Sequence, residues 1–197
     1  MGDDQTLRSA LLAGILIVLP IAMYFRLRSQ ATREPLDRRQ EGFFILATLR
    51  PAGLALAVGI VSYLVKPPSM AWSAVPLPMW LRWGGVGLVW LTAALLAWTM
   101  GSLGKNLTDT VVTRRVHTLV THGPYRWVRH PFYDCVLLLA LGFSLAAANW
   151  FLLTSGAILF TLMIVRTRTE EEKLVARFGD SYRTYMAETG RFLPRRV

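Results

Sequence analysis

The chain is a succession of long apolar runs separated by short charged segments. The first run is LRSALLAGILIVLPIAMYF, residues 7–25, and the second is FFILATLRPAGLALAVGIVSYLV, residues 43–65. The third, WLRWGGVGLVWLTAALLAWTM, spans 80–100 and carries Trp at both ends, as residues anchored at membrane interfaces do. The fourth covers residues 132–165, too long for one bilayer-crossing helix of about 20 residues. Ala146-Ala147-Ala148-Asn149-Trp150 supplies a reversal inside it, which predicts a helical hairpin with Asn149 as the cap of its second arm. Pro20 is tolerable inside a membrane helix. Arg50-Pro51 is expected to close a short interfacial helix over 43–49 and open the second span.

Composition places this pattern in a class. Of 197 residues 53% are hydrophobic and only 17% are charged, which predicts an all-α, polytopic membrane protein of about five transmembrane helices. A single membrane domain, 1–197, divides into three spans (7–100), a polar loop (101–131), a helical hairpin (132–165) and a helical tail (166–197). The N-terminus is acidic and no small-residue cleavage site follows the first run, so that run is expected to remain a permanent span. The formal net charge is +10, and its placement excludes nucleic acid as the reason. The segment 26–42 holds five arginines, 66–79 holds only Lys66, 101–131 holds Lys105, Arg114, Arg115, Arg126 and Arg129, 146–149 holds none, and the tail holds eight basic residues up to Arg196. Rich and poor segments alternate, which puts the N-terminus outside, the C-terminus in the cytoplasm, and the basic face against anionic headgroups.

Two polar segments fall on that basic face. HTLVTHGPYRWVRHPFYD, 117–134, crowds three histidines with helix breakers where a two-residue turn would connect helices. The tail RTRTEEEKLVARFGDSYRTYMAETGRFLP, 166–194, continues from the fifth span. Arg166 and Glu170 are four apart and share a helix face. Leu174, Phe178, Tyr182 and Tyr185 extend an apolar stripe, with Gly179-Asp180 as a kink or break. A tight hairpin between the fourth and fifth helices brings the histidine loop beside the tail. Histidines at 117, 122 and 130 match no common zinc spacing, so no metal is assigned. The lone Cys135 reads as a small buried hydrophobe. Gly84-Gly85-x-Gly87 suits close helix approach.

HTLVTHGPYRWVRHPFY, then RTRTEEEKLVARFGDSYRTYMAETGRFLP after a hairpin, resembles the isoprenylcysteine carboxyl methyltransferase family and its relatives, the phospholipid N-methyltransferases. The resemblance covers about residues 101–194. It implies a membrane methyltransferase using S-adenosylmethionine, releasing S-adenosylhomocysteine, without a nucleotide-binding α/β domain; the absence of a Gly-x-Gly-x-x-Gly turn agrees. It implies cofactor contacts at His117, Thr118, Leu119, Val120, Tyr125, His130, Pro131, Phe132 and Tyr133. It also implies that Glu170 contacts the cofactor and Arg166 holds the substrate carboxylate, these two forming the catalytic pair. The implied acceptor is a lipidic small molecule or a prenylated substrate.

The residue types suit that chemistry. A sulfonium donor needs an apolar or aromatic slot, acceptors for an ammonium and donors for a carboxylate, and ring faces favour a nearby cation. Tyr125, Trp127 and Tyr133 supply rings and Glu170 an acceptor. His117, His130 and backbone N–H groups at Gly123 supply donors. Non-helical backbone at membrane depth is tolerated where it lines a cavity, which accounts for the long irregular loop. A carboxylate acceptor is already ionised at neutral pH, so Arg166 favours carboxyl O-methylation over amine methylation. Phospholipid N-methylation and thiol S-methylation remain as alternatives, as does an NADPH-dependent reductase of the sterol reductase type, whose members are longer. A non-enzymatic membrane-assembly role is a further rival, disfavoured by the intact Arg166, Glu170, Tyr125 and His130 set.

Overall fold

The structure, a computed structural model, describes residues 2–30, 45–103 and 118–195. Helix α1 runs Gly2–Gln30, α2 Arg50–Val65, α3 Met79–Leu103, α4 Pro131–Ala147, α5 Trp150–Phe178 and α6 Asp180–Glu188. A π-helical turn, Ile45–Leu49, leads into α2, and 3-10 turns occupy Pro67–Ser73 and Gly123–Arg126. No strand occurs among the described residues, only two isolated bridges, Ala74 with Asn149 and Val128 with Gly190. Residues 104–117 of the 101–131 loop, His117 among them, lie outside the described residues.

Four helical stretches are long and apolar enough to cross a membrane: Gly2–Phe25, Ala47–Val65, Met79–Leu103 and Trp150–Phe178. With the shorter apolar α4 they make this an all-α, multi-pass membrane protein. The expected boundaries differ in places. Helix α1 continues past its apolar run to Gln30 because arginine, leucine and glutamine are good helix formers. Helix α4 has 17 residues, about 25 Å at 1.5 Å each, so it falls short of the ~30 Å hydrocarbon core. At Arg50 the helix changes type rather than breaking: the π-helical turn Ile45–Leu49 runs on into α2, with Pro51 in its first turn, and Ala47–Val65 forms one span in place of the expected separate interfacial helix. Leucines 16, 19 and 54, Val61 and Ile158 stay exposed, as side chains facing lipid do.

Lipid tails are as apolar as leucine, so these helices associate by close packing rather than by hiding from water. The most extensive contact is between α3 and α4. A Cβ on Gly85 of α3 would lie 2.5 Å from the Ala146 nitrogen and 2.6 Å from the Gly142 oxygen of α4, so only glycine permits this backbone approach. Gly84 and Gly87, grouped with Gly85 in the sequence, face open space instead. Leu7, Leu11, Val89, Phe143, Ala146 and Leu152 form the centre of the core, drawn from α1, α3, α4 and α5.

The reversal between α4 and α5 is tight and held from three sides. Ala148 adopts the left-handed conformation at φ 50. Asn149 caps α5 by accepting from the Leu152 N–H at 3.2 Å, and its amide donates to Met70 O at 3.2 Å and Ser73 Oγ at 2.8 Å. The two arms therefore run antiparallel from a fixed point. That places the first residues of α4 beside the last turns of α5.

Candidate active site

The site forms where α4 begins and α5 ends. The segment entering α4 turns at Gly123, whose φ is +63 and where a Cβ would sit 2.1 Å from Ser102 Oγ on α3, so a side chain is excluded there on both counts. Trp127 then meets Trp98 of α3 edge-on at 5.6 Å, with the Arg126 guanidinium 3.9 Å over the Trp127 ring. His130 precedes the first residue of α4, and Pro131 fits the first turn because no N–H is needed there.

Around Glu170 the sequence-predicted residues converge. The Tyr133 hydroxyl lies 2.8 Å from both Glu170 oxygens. Arg166 Nε is 2.8 Å from Glu170 Oε1, one turn away on α5. It is an ion pair by distance only: Arg166 Nε is buried and has no hydrogen-bond partner. His130 Nδ1 sits 3.7 Å from Glu170 Oε2, and the His130 and Tyr133 rings stack with centroids 5.4 Å apart. The result is a carboxylate bordered by two rings and a guanidinium.

Glu171 anchors a second network on the other side of His130. Its carboxylate is buried and accepts from Arg129 Nε at 2.8 Å and Arg191 Nη2 at 2.5 Å. His130 Nε2 is 3.3 Å from Glu171 Oε1. Arg129 also donates to the Met186 and Thr189 carbonyls. Two cations offset one buried anion here, which is the condition for burying a charge without severe cost.

The tail closes over this network. The backbones of 127–130 and 190–191 pair: Arg129 N donates to Gly190 O at 2.9 Å, His130 N to Arg191 O at 3.1 Å, and Gly190 N to Trp127 O at 3.2 Å. Phe192 then lies against His130, centroids 5.8 Å apart, and against Phe160 of α5 at 5.4 Å. Gly179 breaks α5 from α6 at φ +58, as the sequence pattern anticipates. Tyr182 and Tyr185 are buried beneath the tail. Burial pushes Tyr185 up to about 12, so its hydroxyl stays protonated and donates to Tyr125 O at 2.6 Å. Burial likewise raises Tyr125 and Tyr182.

Of the residues singled out in the sequence, His130, Tyr133, Arg166 and Glu170 form one cluster. Tyr125 is tied through its backbone carbonyl to the Tyr185 hydroxyl. Pro131 is buried in the first turn of α4, and Phe132 packs between two apolar clusters, one with Cys135 and Met100, the other with Leu49 and Met163. Thr118 is exposed, Leu119 half-buried and Val120 buried along the approach to Gly123. Sequence reasoning missed Glu171, Arg129 and Arg191. Arg129 and Glu171 had a signal, since each adjoins a chosen residue in the Arg-His-Pro and Glu-Glu pairs. Arg191 had none, because only the return of the chain after α6 brings it there.

An all-helical membrane protein with a polar cluster at the mouth of a tight helical hairpin is the class this geometry defines. Residues 85–176 match the model of the isoprenylcysteine carboxyl methyltransferase (ICMT) family. Curated relatives include the cobalt-zinc-cadmium resistance protein CzcN of Cupriavidus metallidurans, 32% identical over 58% of this chain and 54% of that protein. Protein-S-isoprenylcysteine O-methyltransferase of Schizosaccharomyces pombe is 29% identical over 77% of this chain and 70% of that one. Methanethiol S-methyltransferase of Mycobacterium tuberculosis is 32% identical over 58% of this chain and 46% of that one. The solved eukaryotic intramembrane Ras methyltransferase ICMT has the same fold, with a TM-score of 0.56, 21% identity, and coverage of 88% of this chain and 63% of that chain. The chain thus spans about half the length of several of the curated relatives it matches.

Proposed function

We propose that the chain is an integral membrane methyltransferase that takes its methyl group from S-adenosylmethionine and O-methylates the carboxylate of a lipidic, isoprenylcysteine-like acceptor. The observation that carries this is the Tyr133–Glu170–Arg166 cluster with His130 beside it, all at the end of apolar helices. The donor set fits the cofactor. A carboxylate flanked by stacked rings suits an ammonium or sulfonium group, and the neighbouring Arg166 guanidinium suits an anionic one. When bound, S-adenosylmethionine supplies an electrophilic methyl group for in-line displacement by a nucleophilic oxygen.

The chain's own residues hold, orient and exclude. Glu170 accepts from the amino-acid end of the donor, with the Tyr133 hydroxyl fixing its position. His130, Pro131, Phe132 and Tyr133 line the donor side, together with Tyr125 and the approach Thr118, Leu119 and Val120, with His117 on the same segment. Arg166 orients the acceptor carboxylate by a charge-assisted contact. Arg166 and Glu170 already touch, so donor and acceptor meet across one ion pair, and positioning rather than a strong base lowers the barrier. Phe160, Leu162 and Val136 pack against Tyr133 and Met163 and give the site an apolar flank. On this reading the basic segments put this end of the molecule in the cytoplasm and leave the N-terminus outside.

The methanethiol S-methyltransferase relative favours one second reading, methylation of a small thiol. Such an acceptor offers Arg166 no carboxylate to hold. The test is methyl transfer from labelled donor by the purified chain in detergent, run against a prenylcysteine analogue, a phosphatidylethanolamine and a small thiol. Label on the prenylcysteine carboxyl supports the reading. Label confined to the amine or the thiol replaces it, and no transfer to any acceptor rejects it.

A further inference from the structure

We infer that Glu171 is a positioning residue that never touches the donor: it latches the segment Thr189–Phe192 across His130, making that strap one wall of the donor site. The inference rests on the methyl-donor reading above. Adjacent residues on a helix point about 100° apart, so Glu170 and Glu171 serve different sides of His130. Glu170 faces Tyr133 and Arg166. The Glu171 carboxylate is already engaged by Arg129, Arg191 and His130, three partners from two segments far away in the chain. It is also nearly sealed, at 4% exposure.

What this latch holds is specific. Arg129 sits just before α4 and Arg191 just after α6, so one carboxylate pins both ends of the backbone pairing between 127–130 and 190–191. Thr189 adds a hydroxyl bond to Tyr185 O at 2.5 Å, and Tyr185 in turn holds Tyr125. Phe192, carried on the strap, presses the face of His130 and reaches Phe160 on α5. With Glu171 accepting at Nε2 and Glu170 near Nδ1, the imidazole is held by a carboxylate at each nitrogen while Phe192 and Tyr133 restrict its tilt. Releasing the strap frees the ring and opens that wall without altering Glu170 or Arg166.

The full chain in detergent tests this with Glu171→Gln, Arg191→Ala and the double variant. Arg191 is 37% exposed on its side chain, so its removal is far less disruptive to folding than removal of Glu171. Each single variant is expected to raise the donor KM about tenfold, with kcat at saturating donor within about threefold of wild type. The double variant is expected to match the stronger single one, because both cut the same latch. Hydrogen–deuterium exchange across 127–130 and 189–192 is expected to rise in Arg191→Ala. A raised KM in Glu171→Gln but not in Arg191→Ala would overturn the latch in favour of direct donor contact by Glu171. Additive effects, or unchanged exchange in Arg191→Ala, overturn it as well. Loss of thermal stability with an unchanged donor KM reduces both residues to structural supports and overturns the wall. If the wild-type chain binds no S-adenosylhomocysteine, the donor reading fails and the wall with it, whereas the exchange result still decides whether the latch exists.

Discussion

Arginine organises both ends of this molecule, and the two ends differ in how it is used. At the end where α1 and α3 begin, Arg82 gives Nε to Ala146 O at 3.0 Å, Nη1 to Asp4 Oδ1 at 2.6 Å and Nη2 to Tyr63 OH at 3.4 Å. Every face of that guanidinium is committed, and it ties four helices together. Arg8 is close by, donating to Leu64 O at the end of α2, although its Nε is buried without a partner. At the other end, among the described residues, Arg166 pairs with the Glu170 carboxylate, and its Nε makes no hydrogen bond. Glu170 is shared by the Tyr133, Arg166 and His130 side chains. A polar network that saturates itself with backbone and capping partners stabilises a fold. One that gathers a carboxylate, a guanidinium and two stacked rings at the mouth of a hairpin suits a charged ligand.

Substitutions separate the two ends. The largest effect is expected from Arg166→Ala, which should lower turnover on a carboxylate acceptor by about 10²–10³-fold. Donor affinity should change far less, as titration with S-adenosylhomocysteine would show, and full activity on the carboxylate acceptor would remove Arg166 from its role. Glu170→Ala should weaken S-adenosylhomocysteine binding by about 30–100-fold, the loss of roughly 2–3 kcal/mol expected for a charged hydrogen-bond partner. Arg82→Ala sharpens the contrast: it should cost about 1–3 kcal/mol of stability by leaving Ala146 O and Tyr63 without their donor, yet leave donor affinity unchanged. Thermal denaturation and calorimetry on the same sample check both halves. His130→Ala should lower cofactor affinity by removing a ring and a neighbour of both glutamates, which label incorporation at limiting donor detects. The smallest effect is expected from Tyr133→Phe, about fivefold in donor affinity, because it deletes one hydroxyl while keeping the stacked ring.

Much of this architecture is written in the length of the apolar runs. The over-long run at 132–165 announces a hairpin, and Asn149, at the point of reversal, caps α5 as its chemistry predicts. Arg166 and Glu170 are legible because helical spacing places them on one face. Spacing also explains what was missed. Glu171 points away from Glu170, and nothing local shows that its partners are Arg129 and Arg191. The pairing of 127–130 with 190–191 has no periodicity to betray it, since it depends on how α6 turns the chain back. Similarly, three glycines at 84, 85 and 87 look equivalent in the sequence, but only Gly85 faces a neighbouring backbone. The short α4 follows from Pro131 at its start and the left-handed Ala148 after its end, both local signals whose consequence for length shows only in three dimensions.

The central claim is that the Glu170 end of the molecule receives the methyl donor. Calorimetric titration of S-adenosylhomocysteine into the purified chain in detergent, with Glu170→Ala and Arg82→Ala beside it, addresses that directly. Binding that survives in Arg82→Ala and collapses in Glu170→Ala is the predicted result. Wild-type affinity in Glu170→Ala, or binding of NADPH in place of S-adenosylhomocysteine, would contradict it.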